Sequence, residues 1–138
     1  MLLRLVVVVV AAFVLAIGVY LVTGTGTEDA PETSYVGTYR SALLPAASSP
    51  GRIIMLEVKQ DGTFIMKTDF QNGEPVIQQE GQWVTDAGAM VVTISTTNGN
   101  LLFRPVRFSL VMEGSVIKTV GSPELFGSEG ITLTKSGP

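Results

Sequence analysis

The sequence predicts an all-β protein, a small antiparallel meander barrel of about eight strands, preceded by one N-terminal transmembrane or signal helix. The helix is predicted by an uncharged apolar run from Leu5 to Val22. The barrel is predicted by turn signals about every 10 to 15 residues, the spacing of successive hairpins. Between these turns lie segments rich in Val, Ile, Thr and Phe, which suit a pleated sheet. The turn signals are Asp61-Gly62, Asn72-Gly73, Asp86-Ala87-Gly88, Asn98-Gly99 and Glu113-Gly114.

The apolar run is long enough to cross a bilayer. As a helix with a rise of about 1.5 Å per residue it spans roughly 27 Å, close to the hydrocarbon thickness. Arg4 precedes the run, and Val22-Thr23-Gly24 is a poor cleavage site for a signal peptidase. We therefore expect an uncleaved, single-pass anchor in the inner (cytoplasmic) membrane, with the domain facing the periplasm. Secretion after signal cleavage is the alternative.

Composition divides the chain into three parts. Residues 1–23 form the anchor or signal segment, residues 24–34 a flexible linker rich in Gly, Thr and acidic side chains, and residues 35–135 the folded β-barrel domain. The charges beyond the anchor are scattered, without a basic patch, which argues against nucleic acid as a partner.

The chain contains neither cysteine nor histidine. The commonest general base, the commonest transition-metal ligand and the thiol nucleophile are therefore all missing. Most carboxylates after the linker fall in predicted turns, where a solvated bend accounts for them. We therefore expect no catalytic residues, no cofactor and no metal site, and we predict that the protein is not an enzyme.

The first long hairpin can be read residue by residue. A three-residue loop around Asp61-Gly62 places Val58 opposite Phe64 and Leu56 opposite Met66, whereas a slip of one residue would turn these side chains to opposite faces. We predict a type I turn with a bulge at Gly62. The strands are expected at roughly 35–41, 52–59, 63–70, 75–84, 89–96, 101–112, 115–119 and 130–135.

Large side chains are expected to fill the barrel. By alternation along their strands Met66, Met90 and Met112 point into the core, and Met55 points outward. Trp83, which follows Gly81 closely, is expected to plug one end of the core. A barrel of this size can instead hold a small apolar ligand, which is the alternative. The large residues assigned to the core are Phe64, Met66, Phe70, Trp83, Phe103 and Phe108.

An ordered set of short motifs resembles the N-terminal domain of the NlpE family. The motifs are Tyr35-Val-Gly-Thr-Tyr39, Leu44-Pro45 through Gly51, Leu56-x-Val58-x-x-Asp61-Gly62-Thr63-Phe64 and Gly81-Gln-Trp83. The resemblance implies a small barrel related to bacterial lipocalins. It also implies an envelope protein of a family linked to copper resistance, surface sensing and the envelope stress response.

The sequence departs from that family at its cysteines. The family's Cys-x-x-Cys after Leu-Pro corresponds here to Ala46 and Ser49, and the lipid-attachment cysteine is missing. Thiol-based redox sensing and copper binding are therefore not implied for this chain. We also expect the family's second, C-terminal domain to be absent. The structural marks of the family that the sequence retains are Pro45, Gly51, Asp61, Gly62, Gly81 and Trp83.

The resulting expectation is a membrane-tethered, extracytoplasmic, non-enzymatic barrel that acts by protein contact in envelope stress sensing or copper and envelope homeostasis. The alternative is a lipocalin-like carrier of a small apolar ligand. The candidate contact surface is the long uncharged loop from Leu43 to Gly51, since loops on rigid barrels often carry binding. A loop that only covers one barrel mouth is the competing interpretation. The contact residues named in this loop are Leu43, Leu44, Pro45, Ala46, Ser48 and Ser49.

Overall fold

The structure is a computed structural model that describes residues 33–121 and 123–137. A single turn of 3-10 helix, Thr33–Tyr35, precedes eight strands. These are β1 (Gly37–Ser41), β2 (Ile53–Val58), β3 (Thr63–Asp69), β4 (Ile77–Asp86), β5 (Ala89–Thr97), β6 (Asn100–Glu113), β7 (Val116–Thr119) and β8 (Thr132–Gly137). Each strand pairs antiparallel with its neighbour in sequence, and β8 pairs with β1, which closes the barrel.

The predicted all-β, eight-stranded antiparallel barrel is confirmed, and every strand begins and ends within two residues of its expected position. The predicted N-terminal helix and most of the predicted linker lie outside the described residues. Within the part of the chain that the structure describes, no helix has the length and apolar character needed to cross a membrane.

The β2–β3 hairpin has the predicted register. Val58 pairs with Phe64, and Leu56 pairs with Met66. The loop of three residues is bounded by a hydrogen bond from Lys59 N to Thr63 O of 3.0 Å, and Gly62 N donates to Lys59 O at 3.2 Å. Gly62 has a φ of 84°, which is a left-handed conformation that glycine adopts without steric cost. The bulge expected at this glycine is therefore present.

The interior is filled by apolar side chains that alternate with outward-facing residues along each strand. Met66 and Met90 are buried, Met112 packs against the core, and Met55 points outward, as the alternation predicts. The largest fully buried side chains are Trp83, Tyr35, Tyr39, Phe64, Ile54, Leu56, Met66, Met90, Ile94, Leu110, Ile117 and Leu133.

Phe103 was wrongly predicted to belong to the core, because its side chain is 96% exposed. Phe108 and Leu110 point inward, so an odd-numbered residue of the same strand faces outward. The β5–β6 ladder is also interrupted. On β6, residues 102–105 lie between the pairs Thr96–Leu101 and Ile94–Val106, whereas on β5 a single residue lies between these pairs. Pro105, which has no N–H to donate, is suited to this bulge.

The up-and-down order of the strands gives the barrel two ends whose connections differ in length. We call the end at which the chain enters β1 the proximal end; it includes the β2–β3, β4–β5 and β6–β7 turns. The opposite, distal end carries the connections β1–β2 (residues 42–52), β3–β4 (70–76), β5–β6 (98–99) and β7–β8 (120–131). The longer connections all lie at the distal end, which is therefore the end with room for a binding surface.

Candidate functional site

Aromatic side chains close the proximal end. Trp83 is 1% exposed, and its indole N–H donates to Lys59 O at 2.8 Å. The edge of the Tyr35 ring meets it, with the centroids 6.4 Å apart. The Tyr35 hydroxyl donates to Gly88 O at 2.7 Å, so the 3-10 turn is fastened to the β4–β5 turn. Trp83 thus plugs this end and offers no exposed face on which a ligand could stack.

Gly81 allows β4 and β5 to approach each other at a bulge. The register of the pair shifts between Glu80 and Gly81. A Cβ atom at position 81 would lie 1.9 Å from the carbonyl oxygen of Thr93, which leaves no space for any side chain. Since the backbone N–H of Trp83 donates to Gly62 O at 2.8 Å, the bulge also sets where the tryptophan meets the β2–β3 turn.

Asp61 stabilises the same turn from the solvent side. Its Oδ1 atom accepts the Thr63 hydroxyl at 2.6 Å and the Thr63 backbone N–H at 2.9 Å. These two hydrogen bonds, the hydroxyl first, hold the pKa of the Asp61 carboxyl below its ordinary value of 3.8. Asp61, Gly62 and Trp83 are therefore brought together in one proximal cluster with a structural role.

The Asp61 geometry predicts an acid-dependent loss of stability. Because the folded-state pKa is lowered, the stabilisation is complete above the ordinary value and is lost as pH falls through the folded-state value. We expect Asp61→Asn to flatten the fall in melting temperature between about pH 4 and pH 2. Thr63→Val, which removes the hydroxyl donor, should flatten it in part. Thermal melts in which wild type and Asp61→Asn show the same pH dependence would contradict this role.

The predicted contact loop, Leu43 to Gly51, lies at the distal end. Leu44 and Arg52 exchange two backbone hydrogen bonds, of 2.8 and 2.9 Å, and the Leu44 side chain packs against the core. Gly51 is buried so closely against Leu43 that a Cβ atom there would lie 2.7 Å from the leucine Cδ1. The loop is therefore folded onto the barrel rim.

The loop residues divide between covering the rim and facing solvent. Leu44, Ala46 and Ser49 are half-buried, and the Ser49 hydroxyl donates to Gly51 O at 3.0 Å. Leu43 is 60% exposed. Pro45 and Ser48 are also exposed. The exposed members of the loop are the ones available for contact, and Leu43 is the largest apolar side chain among them.

Sequence reasoning missed the most exposed apolar side chains, which lie on the β5–β6 hairpin. Leu101 is 84% exposed and Phe103 is 96% exposed. Leu43, Val76 and Val120, on other connections at the distal end, are also exposed. Leu101 and Phe103 lie two residues apart on one strand, and neighbouring exposed apolar side chains mark an interaction site. The sequence did contain a signal for this exposure. Phe103 lies an odd number of residues before the inward-facing Phe108 on the same strand, so alternation turns the two side chains to opposite faces.

The same hairpin has an open hydrogen-bonding edge. β6 pairs with β5 from Asn100, but its pairing with β7 covers only Leu110 to Glu113. Between Asn100 and Leu110, the side of β6 that faces away from β5 therefore pairs with no strand among the described residues. Such an edge can accept an extended segment of another protein, with Leu101 and Phe103 beside it.

Near the distal end the described residues form a small pocket of about 110 Å³ that is partly open to solvent. It is far smaller than the roughly 300–1,000 Å³ of pockets that enclose drug-sized ligands. Its walls are formed by Arg52, Ile54, Met66, Thr68, Phe70, Ile77, Gln79, Leu125 and Phe126. Of the large residues expected to fill the barrel, Phe70 and Met66 contact this space, while Phe64, Trp83 and Phe108 are buried in the core as predicted.

Within the described residues, no group of three or more His, Cys, Asp or Glu side chains is arranged to hold a metal ion. A larger open groove of about 410 Å³ lies beside the Gly81 bulge, and neutral side chains supply most of its walls. Thr63, Thr93 and Ser95 contribute hydroxyl groups to it. Lys59 and Glu80 are its charged members, and it contains no exposed aromatic ring.

Comparison with known proteins identifies the family. The model of the NlpE N-terminal domain matches residues 39–121, which is more than half of the chain. No curated protein matches. A crystal structure of a candidate lipoprotein from Shewanella oneidensis is similar, with a TM-score of 0.50 and 18% sequence identity over 83% of this chain and 99% of that one. That likeness concerns the fold alone. The family match over the barrel strands establishes that this chain belongs to the NlpE N-terminal domain family.

Proposed function

We propose that this protein is a non-enzymatic, membrane-tethered barrel of the bacterial envelope that acts by protein contact, in sensing envelope stress or in copper and envelope homeostasis. Membership of the NlpE N-terminal domain family supports a role in the envelope. The observation that carries the contact function is the set of exposed apolar side chains at the distal end, above all Phe103.

The direction of the chain supports the assignment of the distal end to the partner. The described fold begins at the proximal end with Thr33–Tyr35. An anchor formed by the apolar run from Leu5 to Val22 would therefore be joined to the proximal end. Leu101 and Phe103 would then face away from the inner membrane, toward the periplasm and its proteins.

The chemistry of the chain supports a binding role over a catalytic one. With no cysteine and no histidine, nucleophilic catalysis would depend on serine or threonine with an unusual base. Asp61, Asp86 and Glu113 lie at separate turns, and each is exposed to solvent. These three carboxylates therefore lie on separate turns, and none of them lines the distal cavity, where paired acids would have to converge.

Photo-crosslinking from the distal end tests the proposal. A photoreactive side chain in place of Phe103, in the full chain expressed in its source bacterium, is expected to give a discrete adduct with an envelope protein. The matched control is Val84, which is 50% exposed on the outer wall near the proximal end and should give none. Adducts of equal yield from both positions would contradict a distal contact surface.

A substitution tests whether that contact has a physiological role. Phe103→Ser removes an exposed ring, so we expect a change in folding free energy of no more than about 0.5 kcal/mol. The variant should nevertheless fail to restore an envelope-stress reporter or copper tolerance in a strain deleted for the gene. Val84→Ser should restore both as wild type does. Full restoration by Phe103→Ser would count against the proposed function.

A further inference from the structure

The small distal cavity combines an apolar wall with one unpaired cation. Ile54 and Met66 belong to the core, while Leu125 and Phe126 cover the space from the β7–β8 connection. The covering loop is fixed in place, because the Phe126 ring packs edge-on against Phe108 with centroids 4.9 Å apart. The cavity is therefore a formed, partly open space, and an ordered loop supplies part of its wall.

Arg52 is the charged residue of this wall; its side chain is half-buried, and no side chain among the described residues bonds to its guanidinium. Among the described residues, no side-chain hydrogen bond or ion pair reaches Arg52, and its Nε atom is fully buried without an acceptor. The polar neighbours in the wall, Thr68 and Gln79, are neutral. Asp69 and Glu124, which belong to the elements that frame the cavity, form no ion pair with it.

A buried N–H group of a cation that has no acceptor is unfavourable, because the hydration lost on burial is not replaced. Native structures usually satisfy such a group with protein, water or a bound ion. A guanidinium presents a planar fork of donors that matches a carboxylate, and the hydrogen bonds it forms are strengthened by charge. An anion bound in the pocket would supply an acceptor for the buried Nε–H group of Arg52.

We propose that this cavity binds a small aliphatic monocarboxylate, with its carboxylate on Arg52 and its chain against Ile54, Met66 and Phe126. The volume of about 110 Å³ corresponds to roughly four molecules of liquid water at about 30 Å³ each. A ligand that lies wholly within this volume has a short chain. The inference goes beyond the proposed protein contact and does not depend on it.

Ligand-observed saturation-transfer NMR with sodium butyrate tests the proposal on the full chain in phosphatidylcholine nanodiscs, with empty nanodiscs as the blank. We expect saturable binding to the wild type. Butyramide, which has nearly the same shape but no charge, is expected to bind at least tenfold more weakly. No saturable binding of butyrate, or equal affinity for butyramide, would overturn the proposal. Because this comparison uses wild-type protein, it remains decisive whatever happens to a variant.

Variants then locate the ligand. Arg52→Gln is expected to weaken butyrate binding at least tenfold, whereas Arg52→Lys, which retains the charge, should bind within a few fold of wild type. Arg107→Gln is the matched control, because Arg107 is exposed on β6 away from the cavity wall and should leave the affinity unchanged. Wild-type affinity in a folded Arg52→Gln variant, or an equal loss in Arg107→Gln, would overturn the assignment.

Discussion

The Trp83→Ala variant is expected to lose about 3–5 kcal/mol of folding free energy, the range for removing a large buried aromatic side chain. Trp83 is 1% exposed and is the largest fully buried side chain of the barrel. Its removal leaves a cavity, leaves the carbonyl of Lys59 without the indole donor, and removes the ring that the Tyr35 edge meets. Because domains are stable by only about 5–15 kcal/mol, this loss should unfold a substantial part of the population under mild denaturing conditions.

Urea denaturation followed by far-ultraviolet circular dichroism measures this effect, since the variant contains no tryptophan for fluorescence. The neighbouring Val84→Ala variant is the control, because Val84 is half exposed and should change stability by no more than about 0.5 kcal/mol. Trp83→Phe should fall between the two, since it keeps a ring but loses the N–H group. A Trp83→Ala midpoint equal to that of Val84→Ala would refute the role of a core plug.

The Gly81→Ala variant is expected to be almost as damaging, with a loss of about 3 kcal/mol or more, above the usual cost of overpacking a core. The atom that its Cβ meets is a backbone oxygen, that of Thr93, and backbone cannot move aside as a flexible side chain can. Relief of the clash requires β4 and β5 to separate at the bulge. That separation would also disturb the alignment of Trp83 with Gly62.

Gly137→Ala provides the control for this prediction. Apart from its own chain neighbours, no described residue has an atom within 4 Å of the Cβ position at Gly137, so the substitution tests the loss of glycine without a clash. We expect Gly137→Ala to lie within about 0.5 kcal/mol of wild type in the same urea experiment. If Gly81→Ala is equally mild, the strands can separate at little cost, and the close approach at the bulge is not a structural requirement.

Stability and contact are assigned to opposite ends of this barrel. Trp83 and Gly81 act through the proximal half, whereas Phe103 lies on the distal hairpin and is almost fully exposed. Substitutions at the first two positions should therefore reduce the amount of folded protein. A substitution at Phe103 should leave that amount unchanged and affect only the interaction. This separation makes loss of partner contact distinguishable from loss of folding.

The sequence by itself determined the elements that depend on near neighbours. The strand positions and the β2–β3 register follow from side-chain alternation and from turn residues a few positions away, as the pairing of Val58 with Phe64 illustrates. The positions of Gly81 and Trp83 could also be assigned a structural role, because short barrel motifs surround them in the sequence.

Only the tertiary structure decided the features that depend on distant residues. The pairing of Tyr39 with Lys135 closes the barrel, and no local pattern reports a contact across most of the chain. The bulge at residues 102–105 of β6 depends on the pairing of β5 with β6, which local alternation does not report. By alternation, Arg52 lies on the same inward face as Ile54 and Leu56. That its side chain lines a pocket becomes visible only in the folded protein, where Phe126 from the β7–β8 connection lines the same pocket. Burial and partnership are properties of packed surfaces, and these surfaces come together only when the chain has folded.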